Sequence, residues 1–149
     1  MFEHGATLPP PAQSSHPVDV GLRSEAAIFG ELVKRGYHVL LPFGFNERYD
    51  VVLDVGNGKF LRGQCKTGRV RDGCVKFATR STRVNTQGAI IRDYHGEADV
   101  FLVFCSETDR IYCVPVDLAP KREMSLRLDP PRNHQRARVR FAEDFVLPA

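Results

Sequence analysis

Between residues 21 and 36 apolar side chains recur at helical spacing. Leu22, Ala26, Phe29 and Val33 fall three or four apart, with Ile28 and Leu32 beside them, which predicts an amphipathic helix. Gly36 follows its last turn and is the residue type that adopts the left-handed conformation at a helix end. Tyr37 to Pro42 is a short, largely apolar run that predicts a buried strand. Two strand-like runs follow, Val51 to Val55 and Lys59 to Lys66, separated by Gly56-Asn57-Gly58. An Asn-Gly turn between such runs predicts a hairpin. Further on, residues 98–105 read ADVFLVFC and predict a buried central strand, with residues 110–116, RIYCVPV, as its neighbour across Glu107-Thr108-Asp109. From Met124 the pattern predicts a short strand, a Pro130-Pro131 break and a second strand or strand-to-helix piece ending at Phe145. Together these elements predict an α/β domain, a central mixed β-sheet flanked by helices.

A chain of 149 residues, 42% hydrophobic and 26% charged, suits one domain with a sizeable core. Residues 1–19 lack periodicity and contain Pro9, Pro10 and Pro11, which forbid a helix there and predict a flexible, extended tail. The folded domain is expected over 20–149. No apolar run approaches the length of a membrane span, and no basic-then-apolar leader opens the chain, so a soluble, intracellular protein without a membrane partner is expected. Cys65, Cys74, Cys105 and Cys113 form no CxxC pair and match no common zinc spacing, and are expected to be buried free thiols.

The predicted hairpin concentrates chemistry. Asp50 opens its first strand, while Gln64 and Lys66 lie near the end of the second, so antiparallel pairing brings them close. Period-two alternation puts Gln64 and Lys66 on one face and Cys65 on the other. A hard divalent cation such as magnesium takes oxygen ligands, usually only one or two protein carboxylates, and completes its shell with water and phosphate. Asp50 and Gln64 could supply such oxygens, and Lys66 could hold or deprotonate an attacking water. The alternative is that Asp50 caps a strand and Lys66 is a solvated charge. Asp54, on the face of Asp50 by alternation, is either a spare ligand or the end of the hairpin. Glu25 is either an inward carboxylate of the first helix or an exposed one.

Charge is unevenly spread. Residues 62–92 hold eight Lys or Arg against one acidic residue, +7, and residues 121–140 hold seven against two, +5, so the rest of the +3 chain carries −9. Basic patches attract phosphate backbones whatever the overall charge. The first patch follows directly on Lys66. Ser81, Thr82, Asn85, Thr86 and Gln87 are interleaved with Arg80 and Arg83, giving neutral donors beside cations as phosphate contacts use. Arg69, Arg71, Arg80 and Arg83 are therefore candidate contacts to a nucleic-acid backbone, as is Arg132 within the later polar loop. Plain solvation is the competing account of both patches.

The order of a helix bearing Glu25, a strand, a strand opened by Asp50 and a strand bearing Gln64-Cys65-Lys66 resembles the PD-(D/E)xK nuclease superfamily. Over about residues 21–147 it is most similar to the homing endonucleases encoded in group I introns, with archaeal Holliday junction resolvases more distant. The resemblance rests also on Arg48-Tyr49-Asp50, Thr67, Tyr94-x-Gly-x-x-Asp99 and LRLDPPRNHQ. It implies a restriction-endonuclease-like core and an active site of Glu25, Asp50, Gln64 and Lys66. Asp50, Gln64 and Glu25 would then bind Mg2+, with Mn2+ as a substitute. It also implies double-stranded DNA as partner, a homo-dimer or homo-tetramer, and a cytoplasmic, DNA-associated protein. Tyr49 stands where the named motif has Pro, and Gln64 where it has an acidic residue. A structure-specific, junction-resolvase-like nuclease and a DNA-binding protein on a decayed nuclease scaffold are the rival readings. By the same reading Tyr94 and Asp99 are structural and His95 is a loop residue.

Overall fold

The structure, a computed structural model, describes residues 7–44, 47–129 and 139–148. Helix α1 runs from Pro17 to Lys34. Pro17 needs no amide partner in the first turn and has its φ preset, His16 Nδ1 accepts from the Val18 amide, and Asp19 and Lys34 complement the helix dipole at either end. The helix thus starts inside the segment 1–19 expected to be a tail. The three prolines exclude a helix only around themselves. Gly36, at φ +85°, ends it as expected.

The buried face of α1 is Ser24, Ile28 and Leu32, not the Leu22-Ala26-Phe29-Val33 stripe. Leu22 and Val33 are 63% and 61% exposed. The true stripe contains a serine, so an apolar count passes over it. Strand β1, His38–Leu40, is an edge strand with only Val39 half-buried, which corrects the expectation of a buried strand over 37–42.

The hairpin forms as predicted. β2 (Val51–Gly56) and β3 (Lys59–Arg71) pair antiparallel with Val51 opposite Gly63. Asn57 and Gly58 both take positive φ, 55° and 72°, the geometry that Asn-Gly supplies in a tight hairpin. The Asp54 carboxylate accepts from the Gly56 amide at 2.9 Å beside a register shift, so Asp54 shapes the turn.

β3 is the spine of the sheet. It runs on past Lys66 to Arg71 and turns into β4 (Cys74–Ala78). Two further strands, β5 (Arg80–Asn85) and β6 (Gly88–Asp93), form a separate ribbon. β7 (Val100–Cys105) pairs parallel with β3 and antiparallel with β8 (Arg110–Pro115), and β9 (Glu123–Arg127) closes the far edge against β4. Short 3-10 turns occupy Val116–Leu118 and Ala142–Phe145.

The sheet is mixed as expected, but among the described residues α1 is the only α-helix. The helix packs on one face, where Ile28 and Leu32 meet Val51, Leu53, Cys65 and Leu102. The other face is filled by Phe77, Tyr94, Phe101, Val103, Tyr112 and Leu126 from strands and connections. A single helix suffices because β7 and β8 alternate between the two cores. No helix of the described residues is long and apolar enough to cross a membrane.

Two glycines bracket Gln64-Cys65-Lys66-Thr67, and each allows close packing. A Cβ on Gly63 would lie 2.9 Å from Val51 Cγ1 and 3.0 Å from Leu102 Cδ1; one on Gly68 would lie 2.8 Å from Val75 Cγ1 and 3.0 Å from Val103 Cγ1. Those neighbours are buried valines and a leucine with little room to yield. Gly68→Ala is therefore expected to cost about 1–3 kcal/mol through overpacking, read as a lower midpoint in urea unfolding. An unchanged midpoint would show that this core has slack.

Candidate active site

The site arises where the sheet divides. β2 pairs with β3 as far as Gly63, and β4 begins pairing at Arg69. Between them, residues 63–68 keep β7 along one edge, while residues 64–68 have no strand on the other. A buried amide left there would be costly. Asp50, one residue before β2, meets this need: its own amide donates to the Gly63 carbonyl, and its Oδ2 accepts from the Cys65 amide, both at 2.8 Å. Its second carboxylate oxygen has no protein partner among the described residues.

The helix is fixed to the same segment. Ser24, 3% exposed, shares a 2.6 Å hydrogen bond between its Oγ and Thr67 Oγ1, which sets Glu25 beside the gap. Burial raises the Glu25 carboxyl above its ordinary value, and the neighbouring Asp50 raises it further. Burial likewise raises Asp50, against the opposing pull of the Cys65 amide and then Lys66. The Cys65 thiol is pushed far up, by burial first and then by the Asp50 and Glu25 charges, so it stays protonated and unreactive at neutral pH. Cys65, Cys74 and Cys105 are buried free thiols and Cys113 is half-buried.

Lys66 leaves β3 on the face away from α1. Its Nζ lies 3.2 Å from Tyr94 Oη, 4.6 Å from the centre of the Tyr94 ring and 3.5 Å from the Arg80 carbonyl. Gln64 shares that face by alternation. It is half-buried, and its side chain makes no hydrogen bond among the described residues, so its amide oxygen is available. Glu25, Asp50 and Lys66 are thus brought together electrostatically, with Asp50 common to both couplings.

Among the described residues no three His, Cys, Asp or Glu cluster as a metal site. The oxygen donors here are the coupled Glu25 and Asp50 carboxylates, with the Gln64 amide on the face of Lys66. Two carboxyls raised by burial, one raised further by the other's charge, and one carboxylate oxygen free of protein partners are what a bound cation would relieve, and hard oxygen donors suit magnesium or manganese. The residues fit the metal.

Of the expected phosphate contacts, Arg80 meets this cluster through its backbone carbonyl, 3.5 Å from Lys66 Nζ. Arg69 and Arg71 are exposed on the outer stretch of β3, Arg80 is half-buried at the root of β5, and Arg83 is exposed on the ribbon. Arg132 lies outside the described residues. A concavity of about 210 Å³ lined by Phe29, Leu41, Pro42, Gly44, Glu47, Tyr49 and Asp50 opens beside the site. A larger one between α1 and β8, about 570 Å³, is a poorer candidate because its charges pair among themselves, Arg35 with Glu31 and Arg110 with Glu143.

Sequence reasoning gave no role to Arg48 and treated Tyr94 as structural. Tyr94 is indeed 4% exposed and packs edge-on against Phe101, and it also contacts Lys66. Arg48 lies over the same ring, 4.4 Å from its centre. The available signal was position: Arg48 stands two residues before Asp50, and Tyr94 opens the Tyr-x-Gly-x-x-Asp motif. Asp99 is structural, its carboxylate held well below the usual range by the Arg62 side chain, which bonds it together with the Arg62 amide.

The sequence model of the PD-(D/E)XK endonucleases matches residues 15–148. The chain belongs to that family, it is a nuclease with a restriction-endonuclease-like mixed α/β fold, and the family implies DNA as substrate. Among solved structures the chain is similar to the bacterial homing endonuclease I-Ssp6803I, at 25% identity over 89% of each chain and a TM-score of 0.69. No curated protein matches it. Nucleases of this family typically use divalent metal ions.

Proposed function

We propose that the protein is a magnesium-dependent endodeoxyribonuclease of the homing type, with Glu25, Asp50 and Gln64 as metal ligands and Lys66 at the attacking water. The observation that carries this reading is the Asp50 carboxylate at the sheet division, fixed by one oxygen to the Cys65 amide and coupled to both Glu25 and Lys66. When bound, the metal lowers the pKa of its water and neutralises charge on the scissile phosphate. Asp50 offers its free oxygen from a position the backbone has fixed. Glu25 brings the second negative charge, which matters because the Gln64 amide oxygen brings none. The Lys66 ammonium orients the water and offsets the charge that develops on the phosphate.

Arg69, Arg71, Arg80, Arg83 and Arg132 supply backbone contacts on this reading. Two such sites are needed to cut both strands, so the protein acts as a homo-dimer or homo-tetramer, in the cytoplasm and on DNA. Manganese substitutes for magnesium. The test is incubation with genomic DNA, linear plasmid and four-way junctions in Mg2+, Mn2+ or EDTA. Discrete fragments from linear DNA with metal only are expected. Cutting confined to junctions would make the protein a resolvase, and salt-sensitive binding without cutting in any metal would make it a binding protein on a decayed scaffold.

A further inference from the structure

The β5–β6 ribbon joins the chain at two roots, and both meet the Lys66 ammonium. At the first, the Arg80 carbonyl stands 3.5 Å from Nζ, a weak contact. At the second, Tyr94 follows the last residue of β6 and places its hydroxyl oxygen 3.2 Å from Nζ. The hydroxyl oxygen accepts from the ammonium while its own proton can turn elsewhere. The ring is held at 89° to Phe101 with centres 5.6 Å apart, so the hydroxyl is a fixed point.

Arg48 ties the two roots together. Its Nη1 donates to Ser81 Oγ at 2.8 Å, its Nη2 to the Asp93 carbonyl at 2.6 Å, and its Nε to Glu97, which also accepts from Arg92. Three acceptors in different directions suit the planar fork of a guanidinium and not an ammonium. Two cations against one tyrosine ring repel, and Glu97 offsets this beside Arg48 as Asp50 does beside Lys66. The Glu97 carboxyl is held below its usual range by the Arg48 hydrogen bond first and by Arg92 as well. A lysine side chain is long and rotatable, so its head sits where its partners put it.

We propose that Tyr94 and Arg48 are positioning residues for Lys66, and that through them the seating of the β5–β6 ribbon sets the place of the ammonium at the cleavage site. The proposal rests on the reading of Lys66 given above. A ribbon of two strands with both faces open is marginal by itself, and Val84, Ile90 and Ile91 on it are 76%, 54% and 55% exposed. Its roots, by contrast, are locked. Motion of the ribbon on a DNA substrate therefore passes into Lys66 through Arg48 and Tyr94.

The test uses the full chain with Tyr94→Phe, Arg48→Met and Arg48→Lys, beside Lys66→Ala. Two readouts are taken: single-turnover cleavage with separately measured DNA affinity, and the ε-CH2 resonances of Lys66 in 13C-lysine-labelled protein. Tyr94→Phe and Arg48→Met are expected to lower the cleavage rate constant by about 10- to 100-fold, the order a misplaced reacting group costs, with DNA affinity unchanged. The Lys66 resonances move in both, and Arg48→Lys does not restore the rate. A merely structural role would lower the melting temperature and the active fraction but leave the rate constant of the folded enzyme alone, which overturns the proposal, as would unmoved Lys66 resonances. If Lys66→Ala cuts like the wild type, the reading of Lys66 fails and the proposal falls with it. That failure is told apart by the resonances, which report positioning without any cleavage.

Discussion

Lys66→Ala is expected to reduce metal-dependent DNA cleavage by about 10²- to 10³-fold, the usual cost of removing one group aimed at developing charge, while DNA binding stays close to wild type. The size of the effect follows from the lack of a substitute. Arg48, also on the Tyr94 ring, is committed to Ser81, Asp93 and Glu97, and its place cannot change without breaking those bonds. Lys66→Arg should rescue little, because a planar guanidinium has a different shape and cannot sit as a compact charge beside the Tyr94 hydroxyl. Single-turnover kinetics at saturating enzyme measure this without interference from product release. A solvated lysine with no part in the reaction would leave the rate unchanged in both variants.

Asp50→Asn carries the second large effect, and it has two parts of opposite sign. Activity should fall well beyond about 100-fold, since even partners of metal ligands cost 10–100-fold when lost. Stability in EDTA should rise. The asparagine carbonyl can still accept from the Cys65 amide, while the buried negative charge that faces Glu25 is gone. The Asp50 and Glu25 carboxyls are both raised in the folded chain, so the folded state binds more protons than the unfolded one. Stability contributed by these groups is greatest at acid pH and declines as pH rises from the ordinary carboxylate range through the raised values. The melting temperature of the variant should therefore exceed that of wild type at pH 7 in EDTA, and the gap should close on acidification. Added Mn2+ should raise the wild-type melting temperature by mass action and leave Asp50→Asn unmoved. A variant less stable than wild type at every pH would show that Asp50 acts chiefly as a structural anchor.

The parts of this architecture that were legible in the sequence are those set by local chemistry. Asn57-Gly58 fixed the hairpin, Gly36 the helix end, and alternation put Gln64 and Lys66 on one face. The parts that were not legible depend on distant partners. The inward stripe of α1 hides because Ser24 is polar, yet it is buried through Thr67, forty-three residues later in the chain. Residues 37–42 read as buried because they are apolar, but edge position leaves Leu40 and Leu41 exposed. The β5–β6 ribbon left no apolar alternation to read, since neither face packs into a core and its roots are held by Arg48. In the site, the motif order points to Glu25, Asp50, Gln64 and Lys66, and the structure couples Asp50 to Glu25 and to Lys66. The bond from the Cys65 amide to Asp50 was invisible, because it exists only where β2 and β4 leave β3 uncovered. The helix start at Pro17 is hard to read because the segment before it lacks periodicity, although a proline at the first helical position favours a start.

The most direct test of the account is cleavage of genomic DNA by metal-stripped protein, followed by addition of Mg2+, with wild type and Asp50→Asn side by side at equal DNA occupancy. The account predicts no cutting before addition, discrete fragments from the wild type afterwards, and intact DNA with the variant throughout. Cutting in EDTA, or equal cutting by Asp50→Asn in Mg2+, would contradict a metal-dependent nuclease centred on Asp50.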